Sequence, residues 1–177
     1  MKKLLIAGIC TVAFGTATPA FAQVTGTVDV TGTVTDRCQF TSNGNALINL
    51  GEISGTDGKL DTAIVDAGQA TLQGWCNGAA ATIGVEAHPL LNPAAGATGF
   101  DTRVDYKAIA TAGTAAPTDL TTDAGAGTPV LLGLFNGNIV VDIDNSSSPT
   151  SGLMVAGDYV GSIVVTLTPN VSFGAPA

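Results

Sequence analysis

From residue 23 onward the chain alternates. Val24, Gly26, Val28, Val30, Gly32 and Val34 fill every even position, and Gln23, Thr25, Thr27, Asp29, Thr31, Thr33 and Thr35 every odd one. Successive side chains of an extended backbone point to opposite faces. This period of two therefore predicts a strand over Val24–Thr35 with small apolar knobs on one side and a wet face on the other. Similar windows predict strands over Ala46–Ile53, Ala63–Cys76, Ala81–Ala87, Arg103–Ala110, Val130–Phe135, Asn138–Asp144 and Asp158–Thr168. Turn dipeptides separate them: Asn43-Gly44, Asp57-Gly58, Asn77-Gly78 and Asn136-Gly137. The last of these predicts a tight hairpin between Leu131–Phe135 and Ile139–Ile143. The stretches 88–102, with Pro89 and Pro93, and 111–128 read as loops. No window sustains a 3.6-residue period, and neither an internal repeat nor an interdomain linker interrupts the pattern. Seven or eight short strands at this spacing predict an all-β chain folded as a β-sandwich.

The first residues obey a different rule. Lys2 and Lys3 precede a short apolar run from Leu4 to Phe14, and Ala20-Phe21-Ala22 has the small-x-small form cut by signal peptidase. The run is too short to span a bilayer, and Gly15 and Pro19 interrupt the residues after it. Cys10 would suggest a lipid anchor, but the bulky Ile9 before it argues against one. The expected organisation is a signal peptide over residues 1–22, an N-terminal strand over 23–36, and one β-domain over 37–177. No other stretch is apolar enough for stable membrane insertion, so export is expected to be complete.

Charge removes two classes of partner. Beyond the leader only Arg37, Lys59, Arg103 and Lys107 stand against 14 acidic residues, in a chain of net charge −8. Nucleic acid requires a basic footprint, and an anionic membrane surface would repel this chain. The acids are scattered, so solubility is their plain reading. Cys38 and Cys76 alone survive removal of the leader. An even count in an oxidising compartment reads most simply as one disulfide. Zinc is the rival, but the spacing is wrong and the lone His88 cannot complete a site.

The strand Val24–Val34 lies before the first cysteine and at the start of the processed chain, where most chains fray. Alternation alone fits an ordinary edge strand of its own domain. A free, regular, β-branched strand at a terminus is also what edge pairing with another molecule requires.

Here the sequence resembles the archaic chaperone–usher pilins, the spore-coat-U-like (SCPU) domain family. The resemblance lies in Val24-Thr25-Gly26-Thr27-Val28-Asp29-Val30, in Cys38 close behind it, and in Trp75-Cys76-Asn77-Gly78. It continues in Ala156-Gly157-Asp158-Tyr159 followed by Ser162-Ile163-Val164-Val165-Thr166-Leu167-Thr168. The likeness spans most of the processed chain, with its specific motifs at the two ends and the cysteines. It implies an immunoglobulin-like sandwich lacking its final strand and completed by donor-strand complementation. A periplasmic chaperone would fill the gap first, and at an outer-membrane usher the next subunit's N-terminal strand would replace it. Val24, Gly26, Val28, Val30, Gly32 and Val34 would then be the donor positions, with Tyr159, Ile163, Val165 and Leu167 at the acceptor-groove edge. The implied product is a homopolymeric surface fibre serving adhesion or biofilm formation. The family ends at its last strand, whereas here Pro169 and the tail Asn170–Ala177 come after it.

Other chemistry finds little footing in the residues. His88 has no nucleophile–carboxylate arrangement around it in sequence. Asp142-Ile143-Asp144-Asn145 superficially resembles a calcium loop but lacks its central glycine and closing glutamate. Glu52 and Glu86, the only glutamates, show no reason to act as a pair. Trp75 is expected in the core against the disulfide rather than as a stacking platform, since aromatics form only 5% of the chain. The expectation is a non-enzymatic subunit without cofactor. The alternative is a monomeric secreted binding or coat protein on the same fold.

Overall fold

Strand residues dominate the structure, a computed structural model that describes residues 24–41 and 44–169. The expected leader and the tail Asn170–Ala177 lie outside the described residues. The chain divides into two units, Met1–Thr33 and Val34–Ala177. In the first, the described residues 24–33 carry no strand assignment, and Val24, Val28 and Val30 are exposed.

The second unit holds β1 (Cys38–Phe40), α1 (Thr62–Asp66), β2 (Gln69–Cys76), β3 (Thr82–Leu91) and β4 (Phe100–Asp101). They are followed by β5 (Arg103–Thr111), β6 (Thr118–Leu120), β7 (Val130–Leu131), β8 (Phe135–Ser147), β9 (Leu153–Met154) and β10 (Val160–Thr168). Eight strands form one sheet in the order β1-β2-β8-β5-β3-β10, with β6 on β5 and β7 on β3. Its pairings are antiparallel, while β4 and β9 pair in parallel apart from it. The sheet curls into a near-barrel. At one side the ladder between β3 and β5 is limited to Leu90↔Val104 and Leu91↔Arg103.

The core follows from the alternation. In β8, Ile139, Val141 and Ile143 point inward, in β5 Val104, Tyr106, Ala108 and Ala110, and in β3 Ile83, Val85 and Ala87. Each strand thus hides one face, which fixes its register, because a slip of one residue would turn every apolar side chain outward. Cys38 and Cys76 stand opposite each other across β1 and β2 and are joined by the disulfide.

Several local expectations are corrected. Asn136-Gly137 makes no hairpin: both residues lie inside β8, opposite Trp75 and Gly74 of β2. The expected strand Ala63–Cys76 begins instead as α1, because the Asp61 carboxylate caps the Ala63 N–H at 3.1 Å and Val65 is buried. The expected loop 88–102 contains the end of β3. Pro89 sits there in a bulge between Val160 and Ser162 of β10, where its missing N–H costs no ladder bond. The expected loop 111–128 contributes β6, held partly by the buried Asp119, whose carboxylate accepts the Ala87 N–H at 2.8 Å. Trp75 is half-buried and points outward, since Gly74 and Cys76 on either side of it face the interior. The window Ala46–Ile53 forms no strand, and among the described residues no strand pairs with it to complete a ladder.

Candidate functional site

β10 pairs with β3 on one edge, and its other edge has no ladder partner among the described residues. Along it Ile163, Val165 and Leu167 turn toward the core but stay only half-buried, while Ser162, Val164 and Thr166 face out. Facing this edge is the segment 44–50, whose backbone makes no backbone–backbone hydrogen bond among the described residues. Ile48 and Leu50 of that segment pack against the core, whereas Leu47 is 82% exposed. An apolar strand edge and a facing unpaired backbone are what a β-strand needs to bind on both sides.

Between the two lips lies a groove with apolar side chains along its floor. One part is a cavity of about 470 Å³, floored by Leu72, Tyr106, Val141 and Ile143 and flanked by Ile163 and Val165. The other, of about 870 Å³, is bordered by Ile53, Met154, Tyr159 and Val160. Leu47, Ile48, Leu50, Leu90 and Gly161 border both, so the two cavities run into one another. At the far end the groove narrows. A Cβ on Gly74 would lie 3.1 Å from Leu167 Cδ1 and 3.5 Å from Phe40 Cδ1, so β1 and β10 converge there across β2. The groove is therefore open at the Val160 end and drawn together at the Leu167 end.

The buried polar side chains around it have hydrogen-bond partners. Tyr106 donates its hydroxyl to the His88 carbonyl at 2.7 Å, and burial pushes its pKa up to about 12, so it stays neutral. Tyr159 donates to the Asp101 carbonyl at 2.8 Å, and burial again raises its pKa. Asp101 is buried, which works to raise its pKa. Hydrogen bonds from the Thr150 hydroxyl at 2.8 Å and the Gly152 N–H at 2.9 Å outweigh that effect and hold it below the ordinary carboxylate value. Apolar side chains line most of the smaller cavity, while Glu52, Ser54 and Asp158 also border the larger one.

Of the expected edge residues, Tyr159, Ile163 and Val165 border the cavities, and Leu167 lies beyond them at the closed end. The opposite lip and the floor are not among the expected site residues, although Ala46, Ile48 and Leu50 alternate in the sequence and point to an edge. Of the expected donor positions, Val34 belongs to the second unit and is exposed, as are Val24, Val28 and Val30 in the first. Gly26 and Gly32 have open space where a Cβ would stand. Past Val34 the backbone is pinned: Asn77 accepts the Arg37 N–H at 2.6 Å and donates to the Thr35 carbonyl at 3.1 Å.

The remaining candidates are structural. Asp144 pairs with Lys107 at 2.5 Å and Asp142 accepts from Gln69 at 2.6 Å. No cluster of three or more His, Cys, Asp or Glu suited to a metal occurs among the described residues. Comparison with known proteins finds no matching family, no matching curated protein and no matching solved structure.

Proposed function

We propose that this chain is an exported fibre subunit, a pilin that polymerises by lending its N-terminal strand to its neighbour. The observation that carries this reading is the groove along the β10 edge, which has an apolar floor and, among the described residues, unpaired backbone on both lips. On this reading the near-barrel sheet corresponds to an immunoglobulin-like sandwich with its last strand missing, and the segment Val24–Val34 has the alternation that would supply it. Eleven extended residues span about 36 Å at roughly 3.3 Å each. The nine residues of β10 offer an edge of about 30 Å on the same scale.

The orientation follows from the shape of the groove. A donor strand stays attached to its own domain at Thr35, so that end must lie where a whole domain has room, at the open Val160 end. The free end then reaches the closed Leu167 end, which sets the donor antiparallel to β10, the slightly more stable pairing. Burying Val24, Val28, Val30 and Val34 contributes roughly 1.5–2 kcal/mol each, offset in large part by the cost of ordering the segment. A periplasmic chaperone would cover the groove before assembly, and an outer-membrane usher would exchange it for the next subunit. Head-to-tail contacts of this type do not close, so they extend into filaments. The fibre lies at the cell surface, where it serves adhesion or biofilm formation.

The test compares unheated and boiled gel samples of surface-sheared material from the intact protein and from a version lacking residues 23–33. A ladder that collapses on boiling and is lost in the deletion is expected. Monomer in both unheated lanes would overturn the proposal in favour of a secreted monomeric module.

A further inference from the structure

Exposed apolar side chains collect at both ends of the domain. At the end from which the N-terminal strand departs, Asn77 fixes the backbone of Thr35 and Arg37 beside residues 76–81. The same stretch holds the loop after β7, because the Leu132 and Gly133 N–H groups both donate to the Ala81 carbonyl. Leu131 and Leu134 flank that anchor and are 65% and 72% exposed. At the opposite end, where the groove opens, Val160 pairs with Leu91 and Phe100 pairs with Leu153. All four are exposed, and Asn92 ties their supporting chains together through Thr102 and Val155.

Singly, an exposed leucine is ordinary. Their placement is not neutral once the strand is donated. Only Thr35 and Asp36 separate Val34 from the anchored Arg37, a reach of about 10 Å at 3.3–3.6 Å per residue. A donor strand with Val34 at the open end of the groove therefore draws the anchored end of its own domain onto the open end of the next. The two ends carry both signs, Asp36 and Arg37 at one and Asp158 and Lys59 at the other, so charge does not favour this contact over others. Apolar contact does.

We infer that Leu131 and Leu134 at the strand-departing end pack against Leu91, Phe100, Leu153 and Val160 at the groove-opening end of a second copy. This second contact, distinct from the groove, fixes the angle between successive subunits. The inference rests on the strand-donation reading. Strand insertion holds the fibre together; the end-to-end contact holds it straight or bent.

Two experiments on assembled fibres test it. Fibres of a variant carrying Leu134→Cys and Val160→Cys are treated with a short bismaleimide and boiled. A covalent ladder should survive, while the pair Leu134→Cys and Leu120→Cys, with Leu120 on the flank of the domain, should lose its ladder. Equal cross-linking of both pairs, or of neither, would overturn the end-to-end contact. Separately, Leu131→Asp with Leu134→Asp should retain the heat-sensitive ladder but lose the uniform inter-subunit angle in electron micrographs. Unchanged fibre shape would also overturn it. A parent chain that gives no ladder would instead overturn strand donation itself, so the two failures are distinguishable.

Discussion

The Tyr106 hydroxyl reaches the His88 carbonyl across 2.7 Å at the floor of the groove, beside the bulge where β3 and β10 lose register. It supplies a donor where Pro89 has no N–H to give and Gly161 crosses close to both carbonyls. Tyr106→Phe leaves that carbonyl short of a partner. The expected cost is about 1–3 kcal/mol, read as a lower denaturation midpoint with an unchanged slope.

Val28→Asp is expected to abolish donation while sparing the fold, because the new carboxylate would have to enter an apolar groove. Periplasmic yield should match the parent, and the heat-sensitive ladder should vanish. Normal fibres from this variant would count against the assignment of Val28 as a knob.

The two glycines of the donor strand are not equivalent if the strand runs antiparallel to β10. Val34 then faces the larger cavity, and Val30 and Val28 the smaller. Gly32 crosses the point where Leu50, Leu90 and Gly161 border both cavities. Gly26 falls toward the narrowed Leu167 end, so Gly26→Leu should overpack it at a cost of about 1–3 kcal/mol and shorten the ladder more than Gly32→Leu does. The reverse order would indicate the parallel orientation.

Amides of residues 45–50 have no backbone partner among the described residues. Adding a synthetic peptide of residues 23–35 should slow their hydrogen exchange together with that of residues 161–167. Protection of the β10 amides alone would mean that the facing lip does not pair.

Acid should weaken the groove-opening end first. The folded-state pKa of Asp101 is lowered, so its stabilisation is fully present above the unfolded value of about 3.9 and is lost as pH falls through the folded value. Melting temperature should therefore drop below about pH 4, and Asp101→Asn should flatten part of that drop while lowering stability at pH 7.

Much of this architecture is legible in the sequence, and the departures have physical causes. The inward set of β8 runs Phe135, Gly137, Ile139, Val141, Ile143 without changing phase. A two-residue hairpin at Asn136-Gly137 would have put Asn138, Val140 and Asp142 on the face of Phe135, a polar core. The unbroken phase outranks the turn signal, and it is present in the sequence. The lip at 46–53 reads as a strand from its apolar spacing, but a strand also needs a neighbour, which spacing does not reveal. The β10 edge residues are legible because a terminal valine–threonine run has a single alternation. The groove floor is not, since Leu72, Tyr106 and Val141 come from strands whose adjacency only the folded sheet defines.

The seam between β3 and β5 has a mechanical consequence. The ladder between these neighbours has two residue pairs, Leu90↔Val104 and Leu91↔Arg103, with the Tyr106 hydroxyl on the His88 carbonyl beside it, while β2 and β8 share eight pairs. The wall formed by β3 and β10 is thus attached along a narrow spine, like the cover of a book, with the groove at its fore-edge. A small rotation about that spine would change the width of the fore-edge while leaving the longer ladders intact, with the Tyr106–His88 bond opposing it.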